Sequence, residues 1–236
     1  LNGNKMFNSR ADTSDYGVIF ARTDAARGRH GISCFIVDTD TPGFVVKRHV
    51  QVLRSHYTTE LVFEDMRVPA TNLLGEEGRG FAAANDLLVR ARMPYSAACI
   101  GVAVAAQRMT VEFAKQRVTF NDVLSNRQAV QWMLVENEME IRRARFYVLD
   151  AAAKADRGEP FRFEASMAKL FSTEMAGRVL DRCIQIHGGV GVTKDLPLER
   201  WWREMRIRRI GEGPSEVHRI VMARDILSDL AKSSLV

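Results

Sequence analysis

Apolar positions over the first seventy residues come in short runs rich in β-formers. Tyr16-Gly17-Val18-Ile19-Phe20-Ala21 and Ile32-Ser33-Cys34-Phe35-Ile36-Val37 are two such runs, and the stretch Ala25 to Gly31 separates them as a hairpin loop would. Thr41-Pro42-Gly43 supplies the next turn, followed by Phe44-Val45-Val46. Glu60 to Val68 reads as a further strand, ended by Pro69. These segments predict an antiparallel sheet with alternating faces.

After Gly75-Glu76-Glu77-Gly78-Arg79-Gly80 the period changes. From Phe81 to Arg117 small and apolar residues recur at three- and four-residue spacing, the helical signature, with Pro94 placed to kink or interrupt the helix. Ser125 and Gln128 read as a capping box for a second helix running to about Ala155. A third is predicted from about Glu164 to Ile186, stopping at Gly188-Gly189. A short arginine-rich helix follows Pro197, and a last one begins at Pro214. The pattern predicts an α+β protein, with a partial antiparallel β domain over residues 1–75 and a C-terminal up-down four-helix bundle over 76–236.

Composition narrows the classes without choosing among them. Of 236 residues, 46% are hydrophobic and 27% charged, which suits a globular chain. No uninterrupted apolar stretch approaches the roughly 18 residues of a membrane span. Cys34, Cys99 and Cys183 have neither an even count nor metal spacing, and read as reduced core thiols of a cytosol-like compartment. The five histidines are scattered, so no metal is expected. A net charge of +5 suits nucleic acid, an anionic cofactor or an acidic thioester equally. Trp201 to Arg209 interleaves aromatics with arginines. Its spacing predicts a packed helix with Trp202, Met205 and Arg206-Ile207 near one face, rather than a nucleic-acid surface. The chain opens at Leu1-Asn2-Gly3 without methionine, like the second strand of a hairpin, and is expected to be a fragment or a processed chain.

Candidate chemistry centres on Gly211-Glu212-Gly213-Pro214-Ser215-Glu216, which sets one carboxylate between two glycines just before a helix start. An acid on such a turn, near the positive end of a helix, can act as a general base; it can equally be a capping glutamate. Gly188-Gly189-Val190-Gly191-Val192 follows a helix rather than a strand and lacks GxGxxG spacing, so a Rossmann reading fails. Its glycines still allow close backbone approach, and Gln185 offers an amide to a heterocycle edge. Arg117, at the end of the first long helix, complements the helix dipole or clamps a phosphate beside Phe120.

Together and in order, these pieces resemble the acyl-CoA dehydrogenase family over the chain to about Leu230. Gln185 to Asp195, Pro197 to Arg200 and Glu212 to Glu216 carry the resemblance most specifically. Leu1 to Met6, Leu61 to Pro69, Arg117 to Phe120 and Arg127 to Ala129 support it. The resemblance implies later β strands and a C-terminal bundle without the family's N-terminal helical domain. It implies FAD-dependent α,β-dehydrogenation of an acyl-CoA, with Glu212 as the base taking the α-proton while the β-hydride goes to flavin. Thioester oxygen would be held by the backbone N–H of Glu212 and a flavin ribityl hydroxyl, and burial would raise the carboxyl's pKa. Phe7 and Ser9 match residues flanking the isoalloxazine. Arg117, Thr119, Phe120, Arg127 and Gln128 match pyrophosphate contacts reached from a neighbouring subunit. Gln185, Gly188 and Gly189 match the adenine side, and Pro214, Ser215 and Glu216 the helix start near the flavin. Arg92, Gly211 and Gly213 line the substrate side. Ala91 stands where some branches carry their base, which leaves Glu212 as the matched candidate. Gly211, where many members carry tyrosine, implies a roomier pocket for branched or bulky acyl groups. An electron-transfer flavoprotein as acceptor, a homo-oligomer, and a bacterial cytoplasmic or mitochondrial matrix location complete the expectation. Alternatives are an oxygen-using oxidase, a non-catalytic or DNA-associated relative, and a truncated subunit needing a partner chain.

Overall fold

The structure is a computed structural model that describes residues 1–53 and 57–228; the end of the expected bundle domain, 229–236, lies outside them. The described chain forms two compact units that meet in sequence between Leu87 and Leu88.

In the first unit, β1 (Gly3–Asn8), β5 (Tyr57–Phe63) and β4 (Phe44–Gln51) form an antiparallel sheet in that order, and β2 (Tyr16–Arg22) pairs with β3 (Ile32–Asp38) as a hairpin. The expected alternation of faces is clean along β2. It is lost along β5, because that strand is central and buries Thr59, Glu60 and Leu61 in succession. Glu60 tolerates this by pairing with Lys47 at 2.9 Å and Arg48 at 2.5 Å. The strand predicted to reach Pro69 stops at Phe63. Asp65 turns into left-handed backbone at φ 45°, and its N–H is taken by Asn2 Oδ1 at 2.7 Å. Val37, Leu61, Phe63 and Met66 make the core of this unit.

The second unit contains most of α1 (Gly80–Gln116) together with α2 (Gln128–Asp156), α3 (Arg162–His187), α4 (Leu198–Arg208) and α5 (Ser215–Leu227). Cross-links fix the directions. Gln107 and Asn137 side chains bond at 2.9 Å, Arg178 and Arg182 reach Glu140, and Lys154 pairs with Glu164. Arg219 meets Glu174, and Arg162 meets Asp225. Helices α1, α2, α3 and α5 thus run up, down, up and down, with α4 packed on α3. Alanines at 103, 106, 144 and 176, all without exposure, let the helices approach closely around Met175, Val179 and Leu180.

Local rules were overridden in three places. Helix α1 runs unbroken through Pro94, which removes one rung of its hydrogen-bond ladder and leaves the rest intact. Ser125 is not an N-cap; it lies in a 3-10 turn, and its carbonyl accepts from Gln131 Nε2 at 2.8 Å. Pro214 is the extended residue before α5 rather than its first helical residue. On α4 the inward face is Leu198, Trp201 and Met205, whereas Trp202 and Arg206 face outward. By length and composition α1 would also pass as a membrane-crossing helix, although Arg92 and Arg108 bound its uncharged stretch. Its Cys99, Ala103 and Ala106 pack into the bundle core. All three cysteines are free and buried.

Candidate active site

Glu212 lies on the turn joining α4 to α5. Gly211 N–H returns to the Ile207 carbonyl at 3.0 Å, and Ser215 N–H to the Arg209 carbonyl at 3.1 Å, so both ends of the turn are tied. Inside it Glu212 sits at φ 54° and Gly213 at φ 94°. Left-handed backbone costs a non-glycine residue roughly 1–2 kcal/mol. Such strain persists where the surroundings over-determine it, and it gathers at functional sites.

Three cations and a neutral imidazole surround this turn. Lys169, wholly buried on α3, donates from Nζ to the Gly213 carbonyl at 2.6 Å. Arg92, 7% exposed on α1, donates to Ser166 Oγ at 2.9 Å, and its Nε is buried without a partner among the described residues. Arg208 of α4 stacks over the Tyr95 ring at 4.5 Å. His218 lies buried under Gly213. Glu212 Oε2 is itself buried and unpartnered among the described residues. Burial raises the Glu212 carboxyl above its ordinary range, opposed by Lys169, Arg208 and Arg92 in that order. Burial also pulls Lys169 down to about 8 and His218 down to about 4, so the histidine is neutral near pH 7.

The other residues singled out from sequence gather elsewhere. Arg117 ends α1, and the two-residue turn Phe120-Asn121 joins the short strands β6 (Val118–Thr119) and β7 (Asp122–Val123). Both turn residues have positive φ, 50° and 62°, as a tight hairpin of this kind requires. Phe120 is 94% exposed there. Arg127 Nη2 donates to the Thr119 carbonyl at 2.5 Å, and Gln128 opens α2 beside it. Phe113 stacks on His187 at 4.3 Å, which ties the end of α1 to the end of α3 and brings Gln185, Gly188 and Gly189 to the same end of the bundle. Gly188 needs its glycine for φ 61°. At Gly189 a Cβ would meet nothing within 4 Å and φ is ordinary, so nothing within the chain requires a glycine there.

The two groups stand at opposite ends of the bundle. From Arg92 to Gln116 is 24 residues along one helix, roughly 36 Å. Pro214, Ser215 and Glu216 stay with Glu212 at the α5 start; Ser215 is buried and Glu216 exposed. Phe7 and Ser9 belong to the first unit, where Phe7 is 66% exposed at φ 61° beside a bulge in β1.

One correction concerns what surrounds the glutamate. Gly211 does not open free space: a Cβ built there would lie 2.8 Å from the Tyr95 hydroxyl. Lys169, Tyr95, Arg208 and His218 were all missed in the sequence reading. Lys169 had a legible signal, since it falls on the same three-and-four stripe as Ala165, Ala168, Ser172 and Met175, all buried.

Residues 78–227 match the family model described as acyl-CoA dehydrogenase, C-terminal domain, and residues 1–66 match acyl-CoA dehydrogenase, middle domain. The chain belongs to the acyl-CoA dehydrogenase family. It is 41% identical to an acryloyl-CoA reductase (NADH) of Anaerotignum propionicum, over 96% of this chain and 58% of that protein. A short-chain specific acyl-CoA dehydrogenase of Megasphaera elsdenii is 39% identical over 96% of this chain and 60% of its own length. Among solved structures, butyryl-CoA dehydrogenase from Megasphaera elsdenii superimposes with a TM-score of 0.91 at 38% identity, over 96% of this chain and 60% of that one. The chain therefore spans about three fifths of these family members. The structure described as PigA with FAD and proline shares the fold at a TM-score of 0.92 and 28% identity, over 95% of this chain and 59% of that one.

Proposed function

We propose that the protein carries out FAD-dependent α,β-dehydrogenation of an acyl-CoA thioester, with Glu212 as the base that takes the α-proton. The observation that carries this reading is the half-buried Glu212 side chain, whose Oε2 is buried and unpartnered among the described residues and which is held on a left-handed turn. An α-proton next to a thioester is too weakly acidic for a carboxylate in water. Burial narrows the mismatch by raising the carboxyl's proton affinity, and a dry site strengthens any bond to the developing enolate oxygen. The Glu212 N–H donates to no backbone acceptor among the described residues and supports the role of oxyanion donor.

FAD, when bound, supplies the acceptor for the β-hydride. The residues present fit it. The open backbone at Gly188-Gly189 with Gln185 would receive the adenine side. Arg117, Thr119, Phe120, Arg127 and Gln128 would hold the pyrophosphate. The Pro214-Ser215-Glu216 helix start would lie beside the isoalloxazine. Because α1 rises roughly 36 Å from Arg92, at the Glu212 end, to Gln116, at the Arg117 end, the reading includes a second copy of the chain bringing its far end to each site. Electrons pass to an electron-transfer flavoprotein, a partner in keeping with the likeness to a structure described as the electron transferring flavoprotein of Acidaminococcus fermentans, at 39% identity over 97% of this chain and 60% of that one, with a TM-score of 0.92. Such a protein works in a bacterial cytoplasm or a mitochondrial matrix. A branched or bulky acyl group, favoured by Gly211 alone, loses that support to the Tyr95 hydroxyl.

The test is Glu212→Gln in FAD-loaded protein expressed from its complete reading frame. Expected are retention of flavin and a fall in anaerobic flavin bleaching by acyl-CoA of about a thousandfold. Bleaching that survives the substitution within tenfold removes Glu212 as the base. One observation favours the opposite direction of turnover, namely the 41% identity to an acryloyl-CoA reductase (NADH). The same carboxyl, with its raised proton affinity, would then deliver the α-proton.

A further inference from the structure

Tyr95 projects from α1 into the space that a side chain at position 211 would use. Its hydroxyl lies 2.8 Å from the Cβ position of Gly211, and its ring Cζ 3.8 Å from the same point. Its ring is gripped by two cations, with the Arg208 guanidinium 4.5 Å and the Lys169 ammonium 5.8 Å from its centroid. Those cations belong to α4 and α3, so three helices fix one phenol against the residue preceding Glu212. Gly211 has ordinary backbone, without a positive φ. Beyond its chain neighbours, the three atoms nearest its Cβ position are the Tyr95 hydroxyl, the Tyr95 ring Cζ and, at 3.9 Å, the Ile207 carbonyl oxygen; of these the hydroxyl alone comes closer than ordinary contact. Glycine at 211 and tyrosine at 95 are therefore two halves of one arrangement, in which bulk is supplied from the opposite helix.

We propose that Tyr95 is a specificity-determining residue that sets the width of the acyl site beside Glu212 and admits straight, short acyl groups over branched ones. This rests on the acyl-CoA dehydrogenase reading. A branch at the α or β carbon needs room beside the base that removes the α-proton, and the phenol takes that room. A contact of this kind discriminates by packing. One methyl group in an apolar site is worth about 10–200-fold in kcat/KM.

The experiment compares butyryl-CoA with isobutyryl-CoA and isovaleryl-CoA in the FAD-loaded protein from the complete reading frame, in wild type, Tyr95→Phe and Tyr95→Ala. The proposal expects the branched-to-straight ratio of kcat/KM to rise at least tenfold in Tyr95→Ala, and less in Tyr95→Phe. An unchanged ratio in both, with an active wild type, overturns it; should Tyr95→Ala fail to fold, Tyr95→Phe decides alone. A second measurement needs no turnover. Gly211→Ala is placed in wild-type and Tyr95→Phe backgrounds, and thermal midpoints are compared. The alanine is expected to lower the midpoint in wild type and to be largely relieved when the hydroxyl is gone; equal losses in both backgrounds overturn the shared-space argument. A wild type that no acyl-CoA bleaches defeats the enzyme reading instead, and the thermal cycle still decides the geometry.

Discussion

Lys169→Met separates a structural lysine from one that sets the acidity of its neighbour. Its side chain is wholly buried, and burial pulls its pKa from 10.5 to about 8. That depression of about 2.5 units corresponds to roughly 3 kcal/mol spent on keeping the ammonium charged below pH 8. Methionine removes this cost. It also removes the charged hydrogen bond to the Gly213 carbonyl, which contributes about 1.5–3 kcal/mol. The two effects offset, so the thermal midpoint near pH 7 is expected to move by only a few degrees. The sign with pH is definite: an unfolded lysine binds its proton up to about 10.5, so wild-type stability rises from pH 8 to 10.5 and the methionine variant lacks that rise. The larger effect falls on Glu212, for which Lys169 is the first of the cations holding its pKa down. Arg208 and Arg92 remain in the variant. With Lys169 gone the carboxyl takes up its proton at higher pH, so the acid-side decline of kcat/KM begins earlier. The ratio of kcat/KM at pH 6 to that at pH 8, measured with butyryl-CoA, is expected to fall about threefold or more relative to wild type. An acid limb that does not move, in a variant that still folds and turns over, would refute the coupling.

Buried His218 has its pKa lowered to about 4 against an ordinary 6.5, so the unfolded chain binds its proton first as pH falls. Stability should decline between pH 6.5 and 4 by roughly 3 kcal/mol from this group, and His218→Leu should flatten that decline in chemical-denaturation curves taken across the window. Glu140, buried and held by Arg178 at 2.6 Å and Arg182 at 3.0 Å, anchors α2 to α3. Glu140→Ala removes both charged contacts but leaves Arg182 bonded to Asn137 Oδ1 and Arg178 half-exposed, and should cost about 1.5–3 kcal/mol by the same curves; a loss under 1 kcal/mol would show the pair to be unimportant.

The long helices were legible because a three-and-four apolar spacing is a global property that one misplaced residue does not erase. Their ends were less so. Ser125 and Pro214 carry the chemistry of caps, yet a 3-10 turn and an extended residue stand there, because the tertiary path of the chain chose the start of each helix. The β5 strand lost its alternation for a related reason: a central strand has no solvent face to advertise. At the site, Glu212 and its glycines announced themselves by turn chemistry. Tyr95 and Arg208 could not, since each looks ordinary on its own helix and matters only through the approach of α1 to α4. Gly211 was the most instructive case. A missing side chain reads as empty space until the neighbouring helix is seen to fill it.

The roughly 36 Å between Arg92 and Gln116 has a genetic consequence. If each reaction centre draws its base from one polypeptide and its phosphate clamp from another, two inactive proteins with lesions at opposite poles can rescue one another. Co-expressed Glu212→Gln and Arg117→Ala/Arg127→Ala chains would form hybrids in which one centre inherits both defects and the next inherits neither. Recovery of turnover in such hybrids, absent from either parent, would reveal an enzyme whose working unit is never encoded in a single folded molecule.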